Sequence, residues 1–275
     1  MREQPGDLDE RDLREALKAW DIEETLSYAP LGFGDHHWFA GDWFVTVSER
    51  DSRRALETAA ALPLGFVVAP VEPVAVPLGR YWVSVFPRVD GEPGAFGGPV
   101  PPEVADLLAE LHRTTPPPST PGPSPRVAMP SLDGPWHSEA ARDLVLSSAA
   151  GLRERYAEFG RRVEELAGRQ LVVTHGEPHP GNLLLSGGRY LLVDWDTVRL
   201  AVPERDLWWP GTDLDRYQDA SGHRPDPGVA LYALRWDLAD LAEFVTWFRE
   251  PHEPGQDTDL AWEALNGLVG RLAPS

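Results

Sequence analysis

THGEPHPGNLLLSGGRYLLVDWD, residues 174–196, is the stretch on which the reading of this chain turns. Its first half, Thr174 to Asn182, packs two histidines, a glutamate, two prolines and two glycines between apolar runs, a composition that excludes helix and predicts a polar loop between strands. Its second half predicts a hairpin: apolar strands Asn182–Leu185 and Tyr190–Val193 joined through Ser186-Gly187-Gly188-Arg189. Folding that hairpin back carries Asp194 to the side of Asn182, so Glu177, Asn182 and Asp194 are expected to converge although they are apart in sequence. A carboxylate and an amide oxygen together suit magnesium, which takes hard oxygen ligands. A second carboxylate left off the metal could orient and deprotonate a hydroxyl nucleophile.

The remainder of the chain narrows the class. At 275 residues it is long enough for one large domain or two lobes, and its 42% hydrophobic content with 11 Trp marks a globular protein. There are no cysteines, which removes disulfides, thiol catalysis and cysteine-based metal centres. No apolar run is long enough to span a bilayer and the first residues are too charged for a signal peptide, so a cytoplasmic protein is expected. A formal net charge of −19 disfavours nucleic acid and anionic membrane as partners; it either favours a cationic ligand or serves solubility alone. Of 25 basic residues only Lys18 is a lysine.

Upstream, Asp9–Trp20 has helical spacing. Trp38–Ala40 and Trp43–Val47 flank a Gly41-Asp42 turn, Ser52 can cap a helix, and Phe66–Val68 and Tyr81–Phe86 read as further strands. The turn-rich PRVDGEPGAFGG after Phe86 marks a boundary, dividing an N-terminal lobe, 1–88, from a C-terminal one, 89–275. Val104–His112 is an amphipathic helix, and six prolines among residues 116–125 make a stiff extended loop. Helices are expected at Ser138–Leu152, Arg153–Ala167, Val229–Arg249 and Thr258–Leu272.

HGEPHPGN followed by LVDWD resembles the catalytic loop and metal-binding segment of the aminoglycoside phosphotransferase family, whose loop reads H-G-D-x-H-x-x-N. That resemblance implies an α+β, bilobal protein-kinase-like fold with a small, mostly antiparallel β N-lobe and a larger helical C-lobe. It implies a magnesium-dependent transfer of the γ-phosphoryl group of ATP or GTP to a hydroxyl of a small natural product, in antibiotic resistance or biosynthesis. It places Glu177 at the catalytic position with His175 supporting the loop, and Asn182 and Asp194 on the metal. Gly32 and Gly34 would lie along the phosphates, and a hinge at Phe86, Arg88 and Val89 would take the base.

Two departures stand out. The catalytic aspartate is replaced by Glu177, whose stem is one methylene longer. Thr46 stands on the third strand where kinase-like folds carry a phosphate-binding lysine; Glu57 lies on the helix that would bear its partner or faces solvent, and Arg50, Arg53 or Arg54 is left to supply the charge. These departures also admit a pseudokinase or small-molecule-binding module that keeps the fold without the transfer. A zinc-hydrolase reading of His175, Glu177 and His179 fails because Gly176 and Pro178 preclude the required helix. His36 and His37 either reach phosphate or support the sheet, and Asp206 is expected to brace the catalytic loop. Asp237, Asp240 and Glu243 line a cationic cleft or form a solvated face.

Overall fold

A computed structural model describes residues 1–226 and 228–273. The chain divides into two compact units, Met1–Pro123 with Gln170–Pro225, and Ser124–Arg169 with Asp226–Ser275. Residue 88 lies inside the first unit, and the chain just beyond it pairs with the hairpin strand that contains Leu184 and Leu185.

In the first unit, α1 (Glu10–Leu17) is capped by the Asp9 side chain, which accepts from the Arg11 amide, and ends in a 3-10 turn at Lys18–Trp20. A five-stranded antiparallel sheet follows from β1 (Leu26–Ala29), β2 (His36–Ala40), β3 (Trp43–Ser48), β4 (Val76–Leu78) and β5 (Tyr81–Pro87), ordered β1-β2-β3-β5-β4. Alternating side chains of β3 and β5 (Val45, Val47, Val83, Val85) meet Leu13 and Leu17 of α1 in one core, as the period of two requires. Helix α2 (Arg53–Ala61) connects β3 to β4 and leaves Glu57 exposed to solvent.

Phe66–Val68 is not the strand expected. It makes a single parallel bridge, Val67 to Leu192, with the Leu192 amide donating to Phe66 O at 2.7 Å and the Val68 amide to Leu192 O at 3.0 Å. The short strand β6 (Glu92–Pro93) and helix α3 (Val104–Arg113) come next, followed by the expected extended proline loop. The last part of this unit holds β7 (Val172–Thr174), β8 (Leu183–Ser186), β9 (Arg189–Leu192), β10 (Arg199–Ala201) and α6 (Leu214–Ser221). Strands β8 and β9 form the expected hairpin, β6 joins its other edge, and β10 pairs with β7. Helix α6 packs on α3.

The second unit is helical: α4 (Glu139–Ser147), α5 (Ala149–Glu164), α7 (Gly228–Arg249) and α8 (Gln256–Leu272). The α4–α5 break comes at Ser148, earlier than the sequence suggests. Leu152, Phe159, Leu238, Leu241, Phe248 and Leu265 fill its core, and Asp237 on α7 is held by Arg271 at 2.8 Å. Among the described residues no helix is long and apolar enough to cross a membrane. The architecture is α+β, with an antiparallel sheet and a helical C-terminal part.

Candidate active site

The site is built on β7, the loop after it and the β8–β9 hairpin. Gly187 and Gly188, at φ 55° and 76°, make the tight left-handed turn that closes the hairpin. Leu183 pairs with Leu192, and the Val193 amide donates to Asn182 O at 3.0 Å, so the chain delivers Asp194 beside Asn182 as its pattern requires. Asp194 itself sits at φ 64°, a conformation rare outside glycine and tolerated by aspartate. It is held there by the fully buried Trp195, whose indole donates to Leu192 O at 2.9 Å and whose ring meets His175 edge-on at 4.6 Å.

The loop is organised by buried hydrogen bonds. Asp206 accepts from the His175 amide (2.8 Å), the Gly176 amide (2.6 Å) and His112 Nε2 (3.0 Å), and His112 Nδ1 lies 2.7 Å from the Tyr217 hydroxyl. Burial alone would raise the Asp206 pKa, but the hydrogen bond and charge of His112, with Arg205, hold it below the usual carboxylate range. Asp206 therefore braces the loop, as expected. Gly176 adopts φ 104°, and a Cβ there would overlap the buried Arg205 guanidinium, so glycine is required twice over. Arg205 in turn donates to Thr174 Oγ1 (2.7 Å) and Thr197 O (3.0 Å).

His175 is a neutral support. Its Nδ1 accepts from the Glu177 amide (3.2 Å) and its Nε2 donates to Val193 O (2.9 Å), which ties the loop to the end of the hairpin. Burial lowers its pKa, in agreement with that single tautomer. The Asn182 amide nitrogen donates to Glu177 O at 3.0 Å, which identifies the other end of the amide as the oxygen available to a cation. His179 packs edge-on against Phe96 and tilts over Trp209, a bracing position, and burial lowers its pKa to about 4.

Surrounding protein, then the charges of Asp196, Glu177 and Asp35, push the Asp194 carboxyl well above its ordinary range, although its surface remains open to solvent. A carboxyl crowded by carboxylates yet reachable from outside is a place where a cation relieves repulsion. Among the described residues no three His, Asp or Glu side chains form a complete metal cage. The donors offered, Asp194 and the Asn182 oxygen, suit magnesium, which is ordinarily held by one or two carboxylates together with phosphate oxygens.

The glycine turn and the first sheet are organised differently. Gly32 and Gly34 have φ 64° and 102°, in an exposed turn before β2, and the Gly34 amide lies 3.5 Å from the Met1 sulfur. Thr46 faces His37, whose Nδ1 lies 3.2 Å from its hydroxyl; His37 also stacks on Phe44, and His36 Nδ1 lies 3.2 Å from the Tyr28 hydroxyl. The two histidines thus support the sheet. At the expected hinge Phe86 pairs with Phe44, while the Arg88 amide is taken up by Asp42 O (2.8 Å) and its guanidinium lies 4.4 Å over Phe39; Val89 is half-buried. Sequence reasoning missed Asp35, which structure places within electrostatic reach of Asp194 and Asp196.

Comparison with known proteins agrees with this construction. The model of the APH phosphotransferase enzyme family matches residues 37–244. Protein StrN of Streptomyces griseus is 30% identical over 280 residues, covering 87% of this chain and 85% of that protein. The fold resembles that of a spectinomycin phosphotransferase, APH(9)-Ia, solved with ADP and spectinomycin: TM-score 0.67 at 15% identity, covering 96% of this chain and 97% of that one. It also resembles a choline/ethanolamine kinase family protein from Mesorhizobium loti, with TM-score 0.54 at 16% identity over 97% and 95% of the two chains. With its β8–β9 hairpin inside the matched region and its α+β, protein-kinase-like fold, the chain belongs to the APH phosphotransferase enzyme family.

Proposed function

We propose that this protein is a magnesium-dependent small-molecule O-kinase that transfers the γ-phosphoryl group of ATP or GTP to a hydroxyl of a small, cationic natural product in the cytoplasm. The observation that carries this reading is the return of Asp194 to Asn182 across the β8–β9 hairpin, with Glu177 acting electrostatically on the same carboxyl. Residues 1–88 would form the nucleotide lobe, with Gly32 and Gly34 along the phosphates and Phe86, Arg88 and Val89 at the base. Residues 89–275 would supply catalysis and the acceptor pocket. The likeness to antibiotic kinases fits a role in resistance or in biosynthesis.

Phosphoryl transfer asks a protein chiefly for positioning and charge neutralisation. Asp194 and Asn182 would hold magnesium, which when bound would neutralise the nucleotide's phosphate oxygens. Glu177 would orient the acceptor hydroxyl and take its proton. His175 keeps Glu177 in place by accepting its backbone N–H, and Gly176 leaves room for the Arg205 brace behind it.

Incubation with ATP or GTP, magnesium and a panel of aminoglycosides, aminocyclitols and amino alcohols tests the reading by mass spectrometry. A product heavier by one phosphoryl group is expected. Stabilisation by a small molecule with neither nucleotide turnover nor nucleotide binding would instead identify a binding module.

A further inference from the structure

The nucleotide side presents a charge problem. Asp194, Asp196, Glu177 and Asp35 act on one another, and a nucleotide triphosphate would bring further negative charge to them. The strand position that carries the compensating lysine in kinase-like folds is Thr46, and its hydroxyl faces His37, which burial keeps uncharged with a pKa of about 3.

Three arginines follow β3. Arg53 is a poor candidate for phosphate, because it pairs with Asp51 through two contacts of 2.9 and 2.8 Å and lies 4.2 Å over Trp82. Arg54 is exposed at the start of α2. Arg50 differs from both. Its backbone amide donates to Ser48 Oγ at 3.2 Å, anchoring it just beyond the end of β3. Its guanidinium reaches inward: Nη2 stands 3.6 Å from Asp196 Oδ2, and a Cβ placed on Gly34 would lie 3.8 Å from the same nitrogen. It also opposes the burial that raises the Asp35 carboxyl. One cation therefore lies between the glycine turn and the acidic end of the catalytic hairpin, the two sides between which kinase-like folds seat phosphates.

We infer that Arg50 is the residue that grips the nucleotide's phosphates, supplying from the turn after β3 the charge that a strand lysine supplies elsewhere. The inference rests on the phosphotransferase reading. An arginine suits the longer reach, since its planar fork can engage two phosphate oxygens together. The Arg50–Asp196 contact is long at 3.6 Å, and the Arg50 side chain is 53% exposed against 16% for Asp196, so a phosphate can reach the guanidinium from the solvent side.

Calorimetric titration with ATP–magnesium and with adenosine, on the wild type, Arg50→Met, Arg50→Lys and Arg53→Met, tests this. Because charge-assisted hydrogen bonds typically contribute about 1.5–3 kcal/mol, Arg50→Met is expected to weaken ATP binding roughly 10- to 100-fold. Its adenosine affinity should stay unchanged, Arg50→Lys should recover part of the loss, and Arg53→Met should match the wild type. Unaltered ATP binding by Arg50→Met would overturn the inference. So would an equal loss of adenosine, or an equal effect of Arg53→Met. A wild type that binds no nucleotide would remove the phosphotransferase reading and this inference together, a result distinct from a binding wild type indifferent to Arg50.

Discussion

The loop and hairpin at 174–196 and the glycine turn with β3 at 32–50, the two regions of the proposed site, have opposite constructions. In the first, the groups that brace the loop are buried and matched: Asp206 alone receives three donors, and His175 uses both ring nitrogens. In the second, Phe33 and the neighbouring Leu31 are exposed at 44% and 46%, and the Arg50 side chain is 53% exposed. A catalytic group must be held within a fraction of an ångström to act, which buried, fully satisfied networks achieve. Phosphate recognition can be completed by the ligand itself. Under the proposed function, the reacting side would be built in advance, while the donor side would be left for the nucleotide to complete.

The sharpest way to break this contrast is to remove the brace. Asp206→Ala would strand two backbone amides and His112 in a buried site, and losing one member of such a network costs about 3–5 kcal/mol. Chemical denaturation should show that loss, whereas Arg50→Met should leave the midpoint within about 0.5 kcal/mol, as for other exposed positions. Equal destabilisation by the two changes would erase the distinction between the regions.

Asp194→Asn probes function at nearly constant fold. Metal coordination contributes several kcal/mol of charge stabilisation in the transition state, so turnover should fall about a hundredfold or more while the melting temperature holds. Full activity in this variant would remove Asp194 from the metal site.

A smaller effect concerns acid. The folded pKa of His37 is depressed to about 3, chiefly by burial, so the unfolded chain binds a proton below about pH 6.5 that the folded chain refuses. Its contribution is full above that pH and is lost as pH falls from about 6.5 towards 3. His37→Gln should therefore flatten the stability–pH curve between about pH 6 and 4 by up to about 1.4 kcal/mol per pH unit. An unchanged slope would mean that His37 titrates normally.

Much of the site was legible because its signals are local. Paired glycines at 187–188 with apolar flanks specify a hairpin, and the hairpin specifies that residues 182 and 194 meet. Asp206, in PERDLWW, was expected to brace the loop, and it does. The segments that escaped reading, β1, β4, β6, β10 and α6, are short, and what makes most of them regular is distant: β6 pairs with β8, β10 pairs with β7 about a loop and hairpin away, and α6 rests on α3. Phe66–Val68 looked like a strand for the converse reason, being apolar yet bridged at only one residue. The inward reach of Arg50 and the nearness of Asp35 to Asp194 are long-range facts with no local signature.

The central claim is that Glu177, in a position where the family pattern has aspartate, is the carboxylate that accepts the acceptor's proton. Steady-state turnover of Glu177→Gln, with nucleotide affinity measured alongside, tests it most directly, and Glu177→Asp refines it. General-base catalysis contributes about 10²–10⁴ in rate, so Glu177→Gln should lose turnover on that scale while nucleotide affinity stays at the wild-type value. Glu177→Asp, its carboxylate withdrawn by about 1 Å, should lose on the order of a hundredfold. Near-normal turnover in Glu177→Gln would contradict the claim and move the base elsewhere, with Asp196 the next candidate.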